Sequence, residues 1–216
     1  MGLPAVDAEG RRRLLAWARQ GIAAALGLDD PPRILPDELT PGLRAPAAAF
    51  VTLTEDGELR GCIGTLDFQR PLWESVLDAA VSAAFSDPRF PPVRAAEMER
   101  LRLEISLLEP PRPLADPATF DPSAEGIIVE RGLRRGLLLP QVARERGWDA
   151  RRTLAAACGK AGLEADAWRR PDVRLSTFRA VSFEEPEEPE EPEEADLPKG
   201  TDGAPELAAG RAGQVS

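Results

Sequence analysis

Histidine and tyrosine are absent from this chain of 216 residues. The first absence is the firmest chemical constraint in the sequence. No Ser-His-Asp triad, no Cys-His dyad and no imidazole metal site can be built from it. A general base must be Asp, Glu, Lys, a thiolate or a group brought by a partner. Cysteine is scarce, with only Cys62 and Cys158. No apolar run approaches the ~20 residues of a membrane helix. Met1 to Gly10 carries two acids and no apolar stretch, so no signal peptide is expected. That predicts a cytoplasmic protein with reduced thiols, and the compartment argues against a Cys62–Cys158 disulfide. Gly61 and Gly64 lack the spacing of a phosphate loop or a dinucleotide fingerprint. No cofactor and no metal cluster are expected.

Hydrophobic residues make up 43% of the chain, enough to bury a core over most of its length. The net charge of −10 is unevenly placed. Residues 184–216 hold 11 acids against two bases, which leaves 26 acids and 25 bases in residues 1–183. Glu184 to Glu194 repeats Glu-Glu-Pro, a charged and proline-broken pattern that cannot offset its ordering entropy. The sequence therefore predicts a folded part, 1–183, and an acidic disordered tail, 184–216.

Within the folded part, Leu14, Leu15, Ala18, Ile22, Ala25 and Leu26 form one stripe of a helix over 7–28, with Asp7 as N-cap. Residues 49–54 and 58–64 read as a hairpin around Asp56-Gly57. Pro71 opens a helix over 71–85, and Pro88, Pro91 and Pro92 bar its continuation. A short helix is expected over 94–99. Residues 101–107 alternate strictly, as a half-buried strand does. A second hairpin pairs 126–130 with 134–139, Pro140 starts a short helix to Arg146, and Asp149 caps a longer one ended by Gly162. Residues 173–183 alternate again. Hairpins and helices without βαβ order predict an α+β fold with a mixed, largely antiparallel sheet.

The most informative segment is Leu59-Arg60-Gly61-Cys62-Ile63-Gly64. Period two puts Arg60 and Cys62 on one strand face, opposite Leu59 and Ile63. A guanidinium beside a thiol favours the thiolate, which makes Cys62 a candidate nucleophile and Arg60 its activator. Gly61 and Gly64 would let a ligand approach, or equally another backbone. Asp87 can hold Arg89 in a fixed direction as an anion clamp. Cys158 lies on an apolar helix face and reads as core. Lys160 reads as a solvated charge at a helix C-terminus. Nothing local assigns Gln141 to a ligand. Arg11-Arg12-Arg13, Arg134-Arg135, Arg151-Arg152 and Arg169-Arg170 raise nucleic-acid binding, which the near-neutral folded part opposes.

These segments also carry a resemblance. Phe50-Val51-Thr52-Leu53, Leu59 to Thr65 and Asp87-Pro88-Arg89-Phe90-Pro91-Pro92-Val93 closely resemble the AMMECR-one domain family, whose prokaryotic members are called AmmeMemoRadiSam system protein A. Leu101 to Leu107, Leu138 to Val142, Cys158 to Leu163 and Asp166-Ala167-Trp168 follow in the family's order, so the resemblance spans about residues 10–183. It implies an α+β fold with a larger and a smaller lobe and Leu59–Gly64 near the cleft between them. It implies a fold more than a reaction. A Memo-like protein and a radical SAM enzyme are the implied partners, in a modification or redox pathway, with an adaptor role as the alternative. The chain departs from the pattern in its acidic tail. Ala156 and Ala157 also stand where relatives carry histidine, which argues against a histidine-dependent mechanism.

Overall fold

The alternation of Leu101, Leu103, Ile105 and Leu107 buries one face of a strand that organises the first half of the molecule. In the computed structural model, which describes residues 2–186, this strand is β3, Leu101–Leu108. It pairs with β1 (Ala48–Glu55) on one side and β8 (Ala180–Glu184) on the other. β1 continues through the Asp56-Gly57 turn into β2 (Glu58–Gly64), giving a sheet of order β2-β1-β3-β8. Asp56 and Gly57 both adopt positive φ, the backbone a tight two-residue hairpin turn needs.

Two helices cover one face of this sheet. In α1, Ala8–Ala25, the Asp7 carboxylate accepts from Gly10 N at 2.8 Å and caps the first turn. The short α2, Pro41–Arg44, leads into the sheet, and α3, Leu72–Phe85, starts directly after Pro71. Leu14, Ile22, Leu72, Val76, Val51, Leu53, Leu103 and Ile105 share one core there.

The second sheet has order β4-β7-β5-β6, formed by Arg112–Pro113, Arg174–Phe178, Gly126–Arg131 and Arg134–Leu138. Two helices follow β6: α4, Pro140–Arg146, and α5, Ala150–Lys160, capped by Asp149. α5 packs on this sheet through Leu154, Ala157 and Cys158 against Ile127, Val129 and Leu175. A third cluster, Ala48, Leu108, Ile128, Leu139 and Phe178, draws side chains from both sheets.

The fold is α+β, as the element order predicts. The strands form two four-stranded sheets, and every pairing among the described strands is antiparallel. Residues 173–183 are not one strand: β7 and β8 lie in different sheets, and the chain crosses at Arg179. The short helix at 94–99 is a 3₁₀ turn, Ala95–Glu97.

Glu184 and Glu185, counted with the tail on composition, belong to the folded unit. Glu184 closes β8. The Glu185 carboxylate accepts from Arg19 Nε and Nη2, both at 2.6 Å, and from Leu103 N at 3.1 Å. The remainder of the expected tail, 187–216, lies outside the described residues. Among the described residues no helix is long and apolar enough to cross a membrane. Cys62 and Cys158 are both free thiols.

Candidate functional site

β2 is the edge strand of the first sheet, so one row of its backbone groups lacks a strand partner. Asp87, just beyond α3, closes that edge at Cys62. Its Oδ2 accepts from Cys62 N at 2.9 Å. The same carboxylate accepts from Arg89 Nε at 2.9 Å, Arg89 Nη2 at 2.5 Å and Arg89 N at 3.1 Å. Asp87 is only 5% exposed, and these bonds, led by the Arg89 side chain, hold its carboxyl well below the usual carboxylate range. The carboxylate in turn raises the Arg89 pKa above its already high value. Arg89 Nη2 also reaches Cys62 O at 3.5 Å, so the clamp predicted from Asp87-Pro88-Arg89 grips the strand that carries Cys62.

Cys62 points across the sheet toward β1, where Thr52 stands opposite it and Thr52 Oγ1 donates to Sγ at 3.5 Å. The thiol opens on two adjoining cavities. One, of about 340 Å³, is walled by Phe50, Cys62, Asp87, Arg89, Leu137 and Lys160 among others. The second, of about 490 Å³, shares Cys62, Arg89, Leu139, Val142 and Lys160 and runs on to Glu104, Gln141 and Glu145. The cleft therefore lies between the polar face of the first sheet and the α4–α5 side of the second.

Arg60 is not beside the thiol. The β1–β2 register pairs Leu53 with Gly61 and Thr54 with Leu59, which leaves Arg60 as the extra residue of a bulge. One inserted residue resets the alternation. Leu59, at 41% exposure, joins the wall of the larger cavity. Arg60 instead reaches Glu97 Oε1 through Nε at 2.7 Å, and Pro91 O through Nη1 at 2.8 Å. The guanidinium holds the Glu97 carboxyl below its ordinary value. Arg60 thus ties β2 to the segment after α3 and is a positioning residue, not an activator of Cys62.

The two glycines admit protein, not a ligand. A Cβ on Gly61 would lie 2.2 Å from Ala83 O of α3, and one on Gly64 would lie 2.2 Å from Phe50 Cγ and 2.4 Å from Ala49 O. Of the expected site residues, Cys62, Asp87 and Arg89 come together, whereas Arg60, Gly61 and Gly64 support them from behind.

Sequence reasoning missed Lys160. The last residue of α5, it lines both cavities with Cys62 and forms no hydrogen bond or ion pair with another described residue. Lys160 is an exposed residue, and partial desolvation where it meets the cleft lowers its pKa, with Cys62 and Asp87 opposing and the Arg89 and Arg146 charges adding. A signal for it was present: Lys160 and Lys199 are the only lysines, so arginine supplies 25 of the 27 basic residues.

Glu104 was missed because its strand face read as solvated. Glu104 Oε1 accepts from Gln141 Nε2 at 3.1 Å and Ser106 Oγ at 3.3 Å, and Gln141 Nε2 also donates to Ser106 Oγ at 2.9 Å. Burial pushes the Glu104 carboxyl up from its ordinary value, with Gln141 and Ser106 opposing and Glu184 and Glu145 adding to the rise. A raised folded pKa contributes stability below the carboxylate range that is lost as pH rises through the folded value. Glu104→Gln removes the buried charge and keeps an acceptor. It is expected to stabilise the protein by on the order of 1 kcal/mol at pH 7 and to change little at about pH 3, below the ordinary carboxylate range, where both states are protonated. Urea denaturation at the two pH values checks this.

The chain is similar to proteins of one family. The AMMECR1 family model matches residues 15–183. A protein of Methanothermobacter thermautotrophicus is 47% identical over 157 residues, covering 70% of this chain and 82% of its own length. Protein MK0488 of Methanopyrus kandleri is 49% identical over 157 residues, covering 68% and 76%. The crystal structure of the uncharacterized protein PH0010 from Pyrococcus horikoshii superposes with a TM-score of 0.75 at 39% identity, over 80% of this chain and 90% of that one. The matched stretch contains every residue of the cleft described above, and on that extent and identity the chain belongs to the AMMECR1 family.

Proposed function

We propose that the cleft is a ligand-transforming site for a small anionic molecule, with Cys62 as its thiol nucleophile. The observation that carries this reading is the convergence of Cys62, Arg89 and Lys160 on the wall shared by the two cavities. In the smaller cavity the charged side chains are Asp87, Arg89 and Lys160. Asp87 neutralises Arg89, so Lys160 supplies the net positive charge while Arg89 supplies directed N–H donors. An anion therefore fits the Cys62 end, and the Glu104 and Glu145 end does not attract it. Leu137, Leu139, Val142 and Phe50 give the apolar wall a small ligand needs. We place this chemistry in a modification or redox pathway beside a Memo-like protein and a radical SAM enzyme, the partners that the family resemblance implies.

Alkylation tests the reading directly, because Cys158 is fully buried and Cys62 is partly exposed. Anionic iodoacetate and neutral iodoacetamide are compared on the native protein. Cys62 is expected to react, with iodoacetate favoured roughly fivefold over its relative rate with a free thiol, since one nearby cation is worth about 1 kcal/mol at a partly exposed site. Lys160→Ala and high salt are each expected to abolish that preference. A Cys62 that resists both reagents in the folded protein, or a preference indifferent to Lys160, sinks the proposal.

A further inference from the structure

We infer that Lys160 is an amine nucleophile of the cleft, and that its substrate class is a small aldehyde or ketone carrying an anionic group. The inference rests on the cleft being an anion site and adds a reacting group to it.

Three observations converge. The first is composition. Among the described residues every basic side chain but Lys160 is an arginine. Arginine matches lysine as a charge yet neither loses its proton nor attacks a carbonyl, whereas lysine does both. The exception to this usage stands on the cleft wall. The second is placement. Lys160 shares two cavity walls with Cys62 and Arg89 and is tied up by no described carboxylate. Its helix is pressed onto β6 so closely that a Cβ on Gly136 would lie 2.2 Å from Ala157 O, which fixes where the last turn of α5 delivers the amine. Gly162, at φ 65°, then turns the chain away. The third is electrostatic: partial desolvation, with Arg89 and Arg146 adding and Cys62 and Asp87 opposing, lowers the pKa of the amine, so the ammonium that attracts an anion gives up its proton more readily than an ordinary lysine to reach the neutral form that attacks.

The step balances without a co-reactant. The neutral Nζ lone pair bonds to the carbonyl carbon and the C=O π electrons pass to oxygen. A proton moves from nitrogen to that oxygen, giving a carbinolamine. The Glu104 carboxylate on the wall of the larger cavity takes the ammonium proton before the attack and returns it to the hydroxyl, which leaves as water. Ammonium plus carbonyl becomes protonated imine plus water, with nothing oxidised or reduced. The anionic group of the substrate sits on the Arg89 donors.

Borohydride trapping tests this on the full chain. Native protein is treated with pyridoxal 5′-phosphate, pyridoxal or pyruvate, reduced with sodium borohydride and mapped by peptide mass spectrometry. Lys199 and the N-terminal amine report background labelling. The expected result is an adduct at Lys160 exceeding that at Lys199 by roughly tenfold for pyridoxal 5′-phosphate, as proximity to a bound anion demands. Pyridoxal without its phosphate is expected to lose most of that excess, and Lys160→Arg or Lys160→Gln protein with unchanged melting behaviour to lose the adduct altogether. Labelling at Lys160 no greater than at Lys199 overturns the inference, as does an excess indifferent to the phosphate. The two readings fail separately. A Lys160-dependent iodoacetate preference at Cys62 without a trapped adduct removes the imine and leaves the anion site. An adduct without that preference removes Cys62 as the anion-side nucleophile and leaves the amine.

Discussion

Gly61→Ala is expected to lower the stability of the protein by at least about 3 kcal/mol, the upper range for overpacking where the obstructing atoms cannot move aside. The added methyl would lie 2.2 Å from the Ala83 carbonyl oxygen and 3.1 Å from its carbon, both backbone atoms of α3. Relief requires β2 and α3 to separate, and α3 is held to the first sheet by a core that includes Val76, Ala80 and Ala83 of the helix and Val51 and Leu53 of β1. Gly57→Ala provides the comparison. Its site is open, but φ is 80°, so only the left-handed backbone cost of about 1 kcal/mol applies. Urea unfolding of both variants separates steric contact from backbone strain. Had Gly61 been bare to admit a ligand, Gly61→Ala would keep full stability and lose binding alone; a midpoint within error of the parent protein would restore that reading.

The segment Leu59–Gly64 shows where sequence reasoning stops. Local signals placed its strand and turn, because Asp56-Gly57 demands positive φ and alternation marks the flanks. The other elements with strong local punctuation were legible in the same way: α1 from the Asp7 cap, α4 from Pro140, α5 from Asp149 and Gly162. The bulge was not legible. It arises from the pairing of β2 with β1, and one extra residue at Arg60 moves Leu59 onto the cleft face and Arg60 off it. The same limit applies to 173–183. Period two says which side chains share a face and nothing about which sheet owns the strand, so the crossing at Arg179 stayed hidden.

Half of the site was legible for a related reason. Cys62, Asp87 and Arg89 lie in short motifs whose chemistry can be read in isolation. Glu104 and Gln141 are 37 residues apart, and their hydrogen bond exists only because α4 folds back over the polar face of β3. A polar strand face normally meets water, and here it meets the wall of a cavity. Lys160 belongs to a third kind, legible in composition and not in any motif: as a helix-end charge it is ordinary, and as one of two lysines against 25 arginines it is not.

Asp87→Ala tests whether the loop after α3 organises the site, and a loss of about 3 kcal/mol is expected. Removing one partner of a buried pair leaves the other uncompensated, which commonly costs 3–5 kcal/mol, and the half-exposed Arg89 softens that toward the lower end. The Cys62 N–H also loses its acceptor at the sheet edge. Asp87→Asn is expected to recover little, because an amide offers one acceptor oxygen where the carboxylate offers two and turns a donor toward donors. The pH dependence carries a definite sign. A carboxyl held below its unfolded value contributes stability that is complete above the ordinary carboxylate range and is lost as pH falls through the depressed folded value. The gap between parent and Asp87→Ala protein is therefore expected to be constant from pH 8 to about pH 5 and to narrow only in stronger acid. Alkylation of Cys62 gives the second readout. With Arg89 released from its carboxylate and β2 untied, the iodoacetate preference changes while Lys160 is still present. A destabilised variant whose Cys62 keeps the parent preference would make Asp87 a fold residue only and would place the organisation of the cleft in Lys160 and the α4–α5 wall.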